Sequence, residues 1–120
     1  TYLAEANVVV KELREKLEQK AYLNAFGYNK ISDYKSAIIA LDNFIVDYPG
    51  TPFKEKALFY KFDSAYQLAI NSISTKMQDR LNVAKTAYSN LIKFNSNTEY
   101  KQKADEMLAR IDTDLKQFSK

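Results

Sequence analysis

The 28 residues DYKSAIIALDNFIVDYPGTPFKEKALFY, at positions 33–60, decide the fold, because the chain repeats their pattern a second time. A shift of 47 positions aligns this stretch with residues 80–107 without a gap. Self-similarity at a fixed period is typical of proteins built from stacked structural units. The sequence therefore predicts consecutive copies of one supersecondary unit. The eight positions at which the two copies are identical are, in the first copy, Ala37, Ala40, Asn43, Ile45, Thr51, Lys54, Lys56 and Ala57.

The repeated unit is helical, because its apolar residues recur at three- and four-residue intervals, the spacing of one helix face. Asp33 is placed to cap one helix, which ends at Pro49-Gly50. Thr51 and Pro52 suit the cap and first turn of the next helix. We therefore predict an all-α, tetratricopeptide-like stack of about five antiparallel helices, a single-domain α-solenoid fragment over residues 1–120. The predicted helices cover residues 2–28, 33–48, 52–71, 78–94 and 98–118.

Small residues mark the places where the predicted helices cross. Ala37 and Ala84 are equivalent in the two copies, and a methyl side chain lets two helix axes approach closely. An aromatic residue four positions before an alanine opens three of the predicted helices. These structural pairs are Tyr2 with Ala6, Phe53 with Ala57, and Tyr100 with Ala104. A generic five-helix bundle, in which this similarity is accidental, is the alternative.

The connections and the core are predicted from turn residues and apolar content. Gly27 lies near the end of the first helix, and residues 29–32 have turn composition. Residues 72–76 are the expected connection before the fourth helix. The third helix is apolar on more than one face, so we expect it to be the most buried element.

Composition argues against several functional classes. The chain has no Cys and no His, so thiol nucleophiles, imidazole bases and the usual zinc ligands are missing. The net charge of +3 is spread along the chain and forms no basic stripe of the kind that nucleic-acid-binding proteins carry. We expect no enzymatic activity, no cofactor, no metal, no small-molecule substrate and no nucleic-acid partner.

One stretch resembles the tetratricopeptide motif in order. The matching positions are Ala25, Tyr28, Asp33-Tyr34, Ala37 and Tyr48-Pro49. The second unit departs from the motif, because Ser96 stands at the proline position and residues 71–79 make a longer connection than the usual tight turn. The resemblance implies a protein-binding scaffold.

A more specific resemblance is to the BamD family of outer-membrane assembly lipoproteins. It rests on the run LREKLEQKAY at 13–22, on Asp33-Tyr34, on DYPGT at 47–51 and on Ala57-Leu58 with SAYQ at 64–67. This resemblance implies a location on the periplasmic side of the bacterial outer membrane, through a lipidated cysteine in an N-terminal half that is absent from this sequence. It also implies that the chain is the C-terminal half, docking on the POTRA region of BamA beside other subunits of the assembly machinery.

By the same resemblance, the first helix of a repeat unit lines a concave groove. The candidate partner-binding residues on its exposed side are Tyr22, Phe26, Asn29 and Lys30. Each of them has an equally simple structural interpretation as a solvated or partly buried helix position. The alternative function is a tetratricopeptide adaptor of another cell-envelope or cytoplasmic complex, such as a division factor. The full gene would separate the two, because a lipoprotein signal supports the first and a coiled-coil segment supports the second.

Overall fold

The computed structural model describes residues 2–118 and contains five α-helices in that range, followed by one short 3-10 helix. Consecutive helices are joined by short turns and pack against each other, so the architecture is a tetratricopeptide-like antiparallel stack. This confirms the predicted fold class. The stack is elongated, with extents of 68 × 28 × 18 Å. The helices are α1 (Tyr2–Lys30), α2 (Tyr34–Asp47), α3 (Lys54–Ile70), α4 (Ser74–Phe94) and α5 (Lys101–Leu115), with the 3-10 helix at Lys116–Phe118.

The repeat found in the sequence is present in the hydrogen bonds of two turns. The Thr51 hydroxyl accepts a bond from the Phe53 N–H at 3.2 Å, and the Thr98 hydroxyl accepts one from the Tyr100 N–H at 3.3 Å. The N–H groups of Thr51 and Thr98 each donate to the carbonyl three residues earlier. Both threonines are buried. The turns before α3 and α5 are therefore copies of one structure.

These turns correct the predicted starts of two helices. Residues 52 and 98, where α3 and α5 were expected to begin, lie in the turns, and the helices begin at Lys54 and Lys101. The reason is that each threonine hydroxyl bonds the N–H two residues later and keeps the backbone in a turn. α5 also ends earlier than expected, at Leu115.

The connection between α3 and α4 is shorter than the sequence suggested. α4 begins at Ser74 instead of residue 78, so the expected long connection over residues 71–79 is wrong. The Ile73 carbonyl accepts bonds from the N–H groups of Lys76 and Met77, which starts the helix. Polar residues fill this first turn, and for that reason the apolar spacing signals the helix only from Met77 onward.

The turn between α1 and α2 depends on a serine in a left-handed conformation. Gly27 lies inside α1, which continues to Lys30, so the expected stop near residue 28 is wrong. Ser32 has φ 63°, and the Asp33 N–H bonds the Tyr28 carbonyl at 2.9 Å. This bond closes the end of α1 as in a Schellman motif. The Asp33 side chain then caps α2 as predicted, accepting from the Ser36 N–H at 3.3 Å.

α3 is the central element of the core. It contacts α1, α2, α4 and α5, and seven of its residues are buried, which confirms the sequence expectation. The crossing alanines are fully buried, as their role requires; they are Ala37, Ala57, Ala84 and Ala104. α3 thus joins the first and second copies of the repeat into one body.

Candidate protein-binding surface

The odd-numbered helices form one side of the stack. α1 contacts α3 and α3 contacts α5, although a further helix lies between each pair in the chain. We call the side formed by these three helices the odd-helix face. The four candidate partner-binding residues lie on α1, which is one of these helices.

A continuous series of ring contacts crosses the odd-helix face. The Phe26 ring of α1 lies 4.5 Å from that of Tyr60 in α3, measured between centroids. Tyr60 is 6.3 Å from Tyr100, at the start of α5, and Tyr100 stacks on Phe59 at 4.1 Å with an interplanar angle of 7°. Such contacts stabilise the folded state by more than the burial of their surface area alone would. The aromatic residues therefore join the three helices to one another.

Tyr22 belongs to this core and is not an exposed recognition residue. Only 5% of its surface is exposed, and its ring stacks on those of Phe26 and Phe53 at 5.9 and 5.3 Å. Burial, with a smaller contribution from the neighbouring Tyr60, raises the pKa of its hydroxyl. The expected exposure of Tyr22 is wrong, because this side of α1 turns toward α2 and α3.

Asn29 is partly buried, and its side chain is engaged in a contact between two helices. Its side-chain nitrogen donates to the Asp63 carboxylate and to the Ser64 hydroxyl, both at 2.9 Å. Ser64 is fully buried and in turn donates to the Tyr60 carbonyl at 2.7 Å. The amide of Asn29 therefore fastens α1 to α3. Sequence reasoning missed this link, for which the available signal was a serine between Phe62 and Ala65 in the most buried helix.

Phe26 and Lys30, like Asn29, keep solvent-accessible surface. Phe26 is half-buried and Lys30 is exposed, and the Lys30 ammonium lies 5.9 Å from the centre of the Phe26 ring. A cation held over an aromatic ring presents charge and an apolar edge at one place. Such a pair can contact a mixed polar and apolar partner.

A crevice of about 300 Å³ continues the odd-helix face between α3 and α5. Its polar lining includes two acids and one base, namely Asp63, Glu106 and Lys103. The Lys103 ammonium lies 5.9 Å from the centre of the Phe59 ring, as Lys30 does from Phe26. Beside it, burial and then the nearby Glu99 raise the pKa of the Tyr100 hydroxyl to about 12. The face thus combines aromatic, basic and acidic groups, and offers a surface for protein contacts.

The contact between α4 and α5 is partly polar. The Tyr88 hydroxyl and the Lys101 ammonium both bond the Asp105 carboxylate. Those two bonds, led by the one from Lys101, lower the pKa of Asp105. Lys85 of α4 and Asp112 of α5 form an ion pair between the two helices at 3.0 Å. These groups hold α5 in place and belong to the structure of the stack.

The even-numbered helices present a different surface. Ile39 and Val46 are seven residues apart on α2, and 63% and 69% of their surfaces are exposed. Residues at that spacing lie on the same side of a helix, so the two form a small apolar patch. This patch is a second place at which a partner could be held.

Within residues 2–118, the structure contains no helix that is both long and apolar enough to cross a membrane. The family model of YfiO, described as an outer membrane lipoprotein, matches residues 6–118. The chain belongs to the YfiO family. This is the BamD family of the outer-membrane assembly machinery, so the resemblance seen in the sequence is confirmed. No curated protein sequence matches the chain.

Membership of the YfiO family indicates the general class of function. The family consists of outer-membrane lipoproteins of the assembly machinery, and it implies protein–protein interaction within that complex. It is a non-enzymatic family, and it implies association with the outer membrane. The helical stack and the mixed odd-helix face are compatible with this role.

Proposed function

We propose that the chain is a non-catalytic scaffold that docks on the POTRA region of BamA, on the periplasmic side of the outer membrane. The observation that carries the proposal is the YfiO match, which extends over residues 6–118 and therefore includes α2 to α5 and all but the first four residues of α1. In this proposal the chain is the C-terminal half of a lipid-anchored protein.

The odd-helix face is the proposed docking surface, with Phe26 and Lys30 at one end and Lys103 at the other. Interfaces of this kind depend on a few dominant residues, commonly aromatic or Arg, inside a rim of weak contributors. Phe26 fits the dominant position, because its ring is held by Tyr60 and keeps an accessible edge beside the Lys30 ammonium. Tyr22 and Asn29, which the sequence also suggested, instead hold α1 against its neighbours through contacts with Phe53 and Asp63.

Calorimetry tests the proposal directly. The chain is mixed with the POTRA region of the BamA homologue from the same organism at moderate salt, and we expect a Kd in the micromolar range or tighter, about −8 kcal/mol. Phe26→Ala should weaken binding by about tenfold or more. Phe94→Ala is the matched control, because Phe94 is also partly exposed but lies at the end of α4.

Two other outcomes are informative. If Phe26→Ala binds normally and Val46→Lys does not, the docking surface is the patch on α2 and the function is retained. If no POTRA domain binds a chain shown to be folded and monomeric, the BamA proposal is wrong. The chain would then be a tetratricopeptide adaptor of another complex.

A further inference from the structure

Two turns at one end of the stack expose an isoleucine. Ile31, between α1 and α2, is 73% exposed, and Ile73, between α3 and α4, is 67% exposed. The two turns at the opposite end cover residues 48–53 and 95–100, and neither of them has an exposed large apolar residue. Because surface turns are normally polar, the exposed isoleucines distinguish one end of the stack from the other.

The α1–α2 turn, the α3–α4 turn and the end of α5 lie at the same end, because consecutive helices run in opposite directions. Two contacts show this arrangement. The Asp42–Lys61 ion pair joins α2 to α3 at 2.7 Å, eight residues after the start of α2 and nine before the end of α3. The Met77 sulfur accepts a bond from the Gln117 side chain at 3.5 Å, so the start of α4 lies beside the end of the chain's described part.

The fold gains little from Ile73. It occupies the N-cap position of α4, where its side chain makes no hydrogen bond to the helix. Ser, Thr, Asp and Asn are preferred at this position because their oxygens bond the free N–H groups, and isoleucine is among the poorest caps. The exposure of Ile73 means that burial does not compensate for the missing cap. A residue that breaks a local rule in this way indicates a role outside the fold.

Bases collect at the same end. Residues 28–36, 70–80 and 115–118 contain five bases and two acids, a net charge of +3, which equals that of the whole chain. The rest of the chain is therefore neutral as a sum. All ion pairs within residues 2–118 involve other bases, so no neighbouring carboxylate neutralises these five. We call the three segments the basic end, and its bases are Lys30, Lys35, Lys76, Arg80 and Lys116.

Exposed apolar side chains beside a group of bases suit the surface of an anionic bilayer. The apolar side chains enter the interface, while the bases stay at the level of the charged head groups. Members of the YfiO family are described as outer membrane lipoproteins, so a phospholipid surface lies close to the protein. We propose that the basic end binds the surface of a bilayer that contains anionic phospholipid, with Ile31 and Ile73 inserted. The folded helices make this contact themselves, and it rests neither on a covalent lipid nor on docking to a POTRA domain.

Vesicle co-sedimentation tests the proposal. The chain is mixed with vesicles of phosphatidylcholine alone, or of equal parts phosphatidylcholine and phosphatidylglycerol, and the bound fraction gives a partition coefficient. We expect binding to the anionic vesicles and little to the others. Changing both isoleucines, Ile31→Ser with Ile73→Ser, should lower the partition coefficient by about tenfold or more. Val83→Ser is the control, because Val83 is 52% exposed but lies inside α4, away from both turns.

The single change Ile73→Ser separates a role at the membrane from a role in the fold. Serine supplies the cap that α4 lacks, so the urea midpoint of unfolding should stay unchanged or rise while vesicle binding falls. A lower midpoint with unchanged vesicle binding would show that Ile73 serves only the fold, and would overturn the proposal.

Charge reversal at the two ends of α4 tests the contribution of the bases. Lys76→Glu, at the basic end, should lower the partition coefficient by about fivefold or more. Lys93→Glu makes the same change in net charge in the last turn of α4, and its effect should be clearly smaller. Equal effects of the two reversals would mean that the whole chain is attracted without a defined surface. That result would overturn the proposal, as would binding that survives the double isoleucine change or the absence of binding to either kind of vesicle.

Discussion

The ring of Tyr22 in α1 stacks on the ring of Phe53, which opens the turn into α3, with centroids 5.3 Å apart and planes 13° from parallel. The pair joins two helices that are not consecutive in the chain. From the sequence, Tyr22 was predicted to bind a partner and Phe53 was predicted to have a structural role. The contact shows that both are structural.

The first prediction follows from this contact. Tyr22→Ala removes a buried ring from a stack of aromatic neighbours, and the cost of such a change is about 3–5 kcal/mol in the free energy of unfolding. Urea denaturation followed by circular dichroism measures it. Tyr2→Ala is the control, because Tyr2 is 84% exposed, and its effect should stay within about 0.5 kcal/mol. Similar effects of the two changes would mean that Tyr22 is not in the core.

The second prediction concerns the crossing alanines. Ala37 and Ala84 have no exposed surface, so the extra methyl and methylene groups of Ala37→Leu or Ala84→Leu must force the helices apart. Overpacking of this kind costs about 1–3 kcal/mol of unfolding free energy. Ala109→Leu is the matched control on the exposed side of α5. If all three variants unfold at the same urea concentration, the crossing positions have been misplaced.

The third prediction concerns the link between α1 and α3. Asn29→Ala removes the donor shared by Asp63 and the buried Ser64, and leaving such groups without a partner costs about 1–3 kcal/mol. Asn24→Ala, on an exposed position of the same helix, should have little effect. Thermal unfolding of the two variants compares them directly. A stabilised or unchanged Asn29→Ala would show that the link contributes nothing.

The fourth prediction concerns Gly27 and Ser32 at the end of α1, where a glycine is helical and a serine has the positive φ that favours glycine. Gly27 is helical and has nothing within 4 Å of an added Cβ, so Gly27→Ala should raise the unfolding free energy by about 0.5–1 kcal/mol. Ser32 has the positive φ that glycine tolerates best, and Ser32→Gly should also stabilise. Gly27→Ala should therefore raise the free energy of unfolding, whereas Ala37→Leu should lower it. A destabilised Gly27→Ala would contradict the open space seen at this position.

The sequence predicted the helices and their crossings, because these depend on spacing that is local or repeated. Ala37 and Ala84 could be placed by aligning the two copies, and Asp33 by its capping position. Helix starts were less predictable. A Thr, or a Thr followed by a Pro, is compatible both with a turn and with the first turn of a helix, and only the structure shows that the Thr51 and Thr98 hydroxyls stabilise turns.

The candidate site was harder to predict than the fold. Whether Tyr22 is exposed depends on how α1 rotates against α2 and α3, and that rotation is a property of the tertiary packing. Asn29 had no visible partner in the sequence, since Asp63 lies 34 residues away.

The last prediction concerns alkaline pH. The pKa of Tyr100 is raised to about 12 by burial, from the 10.0 of a free tyrosine, and burial also raises that of Tyr22. Between pH 10 and about pH 12, Tyr100 keeps its proton in the folded chain and loses it in the unfolded chain. The free energy of unfolding therefore decreases as pH rises. The contribution of Tyr100 is complete below pH 10 and is lost between about pH 10 and 12. We therefore expect Tyr100→Phe to lose less stability than the unaltered chain when urea denaturation is repeated at pH 9 and pH 11. Tyr2→Phe, with its exposed ring, should follow the unaltered chain, and an identical loss in all three proteins would show that Tyr100 titrates normally.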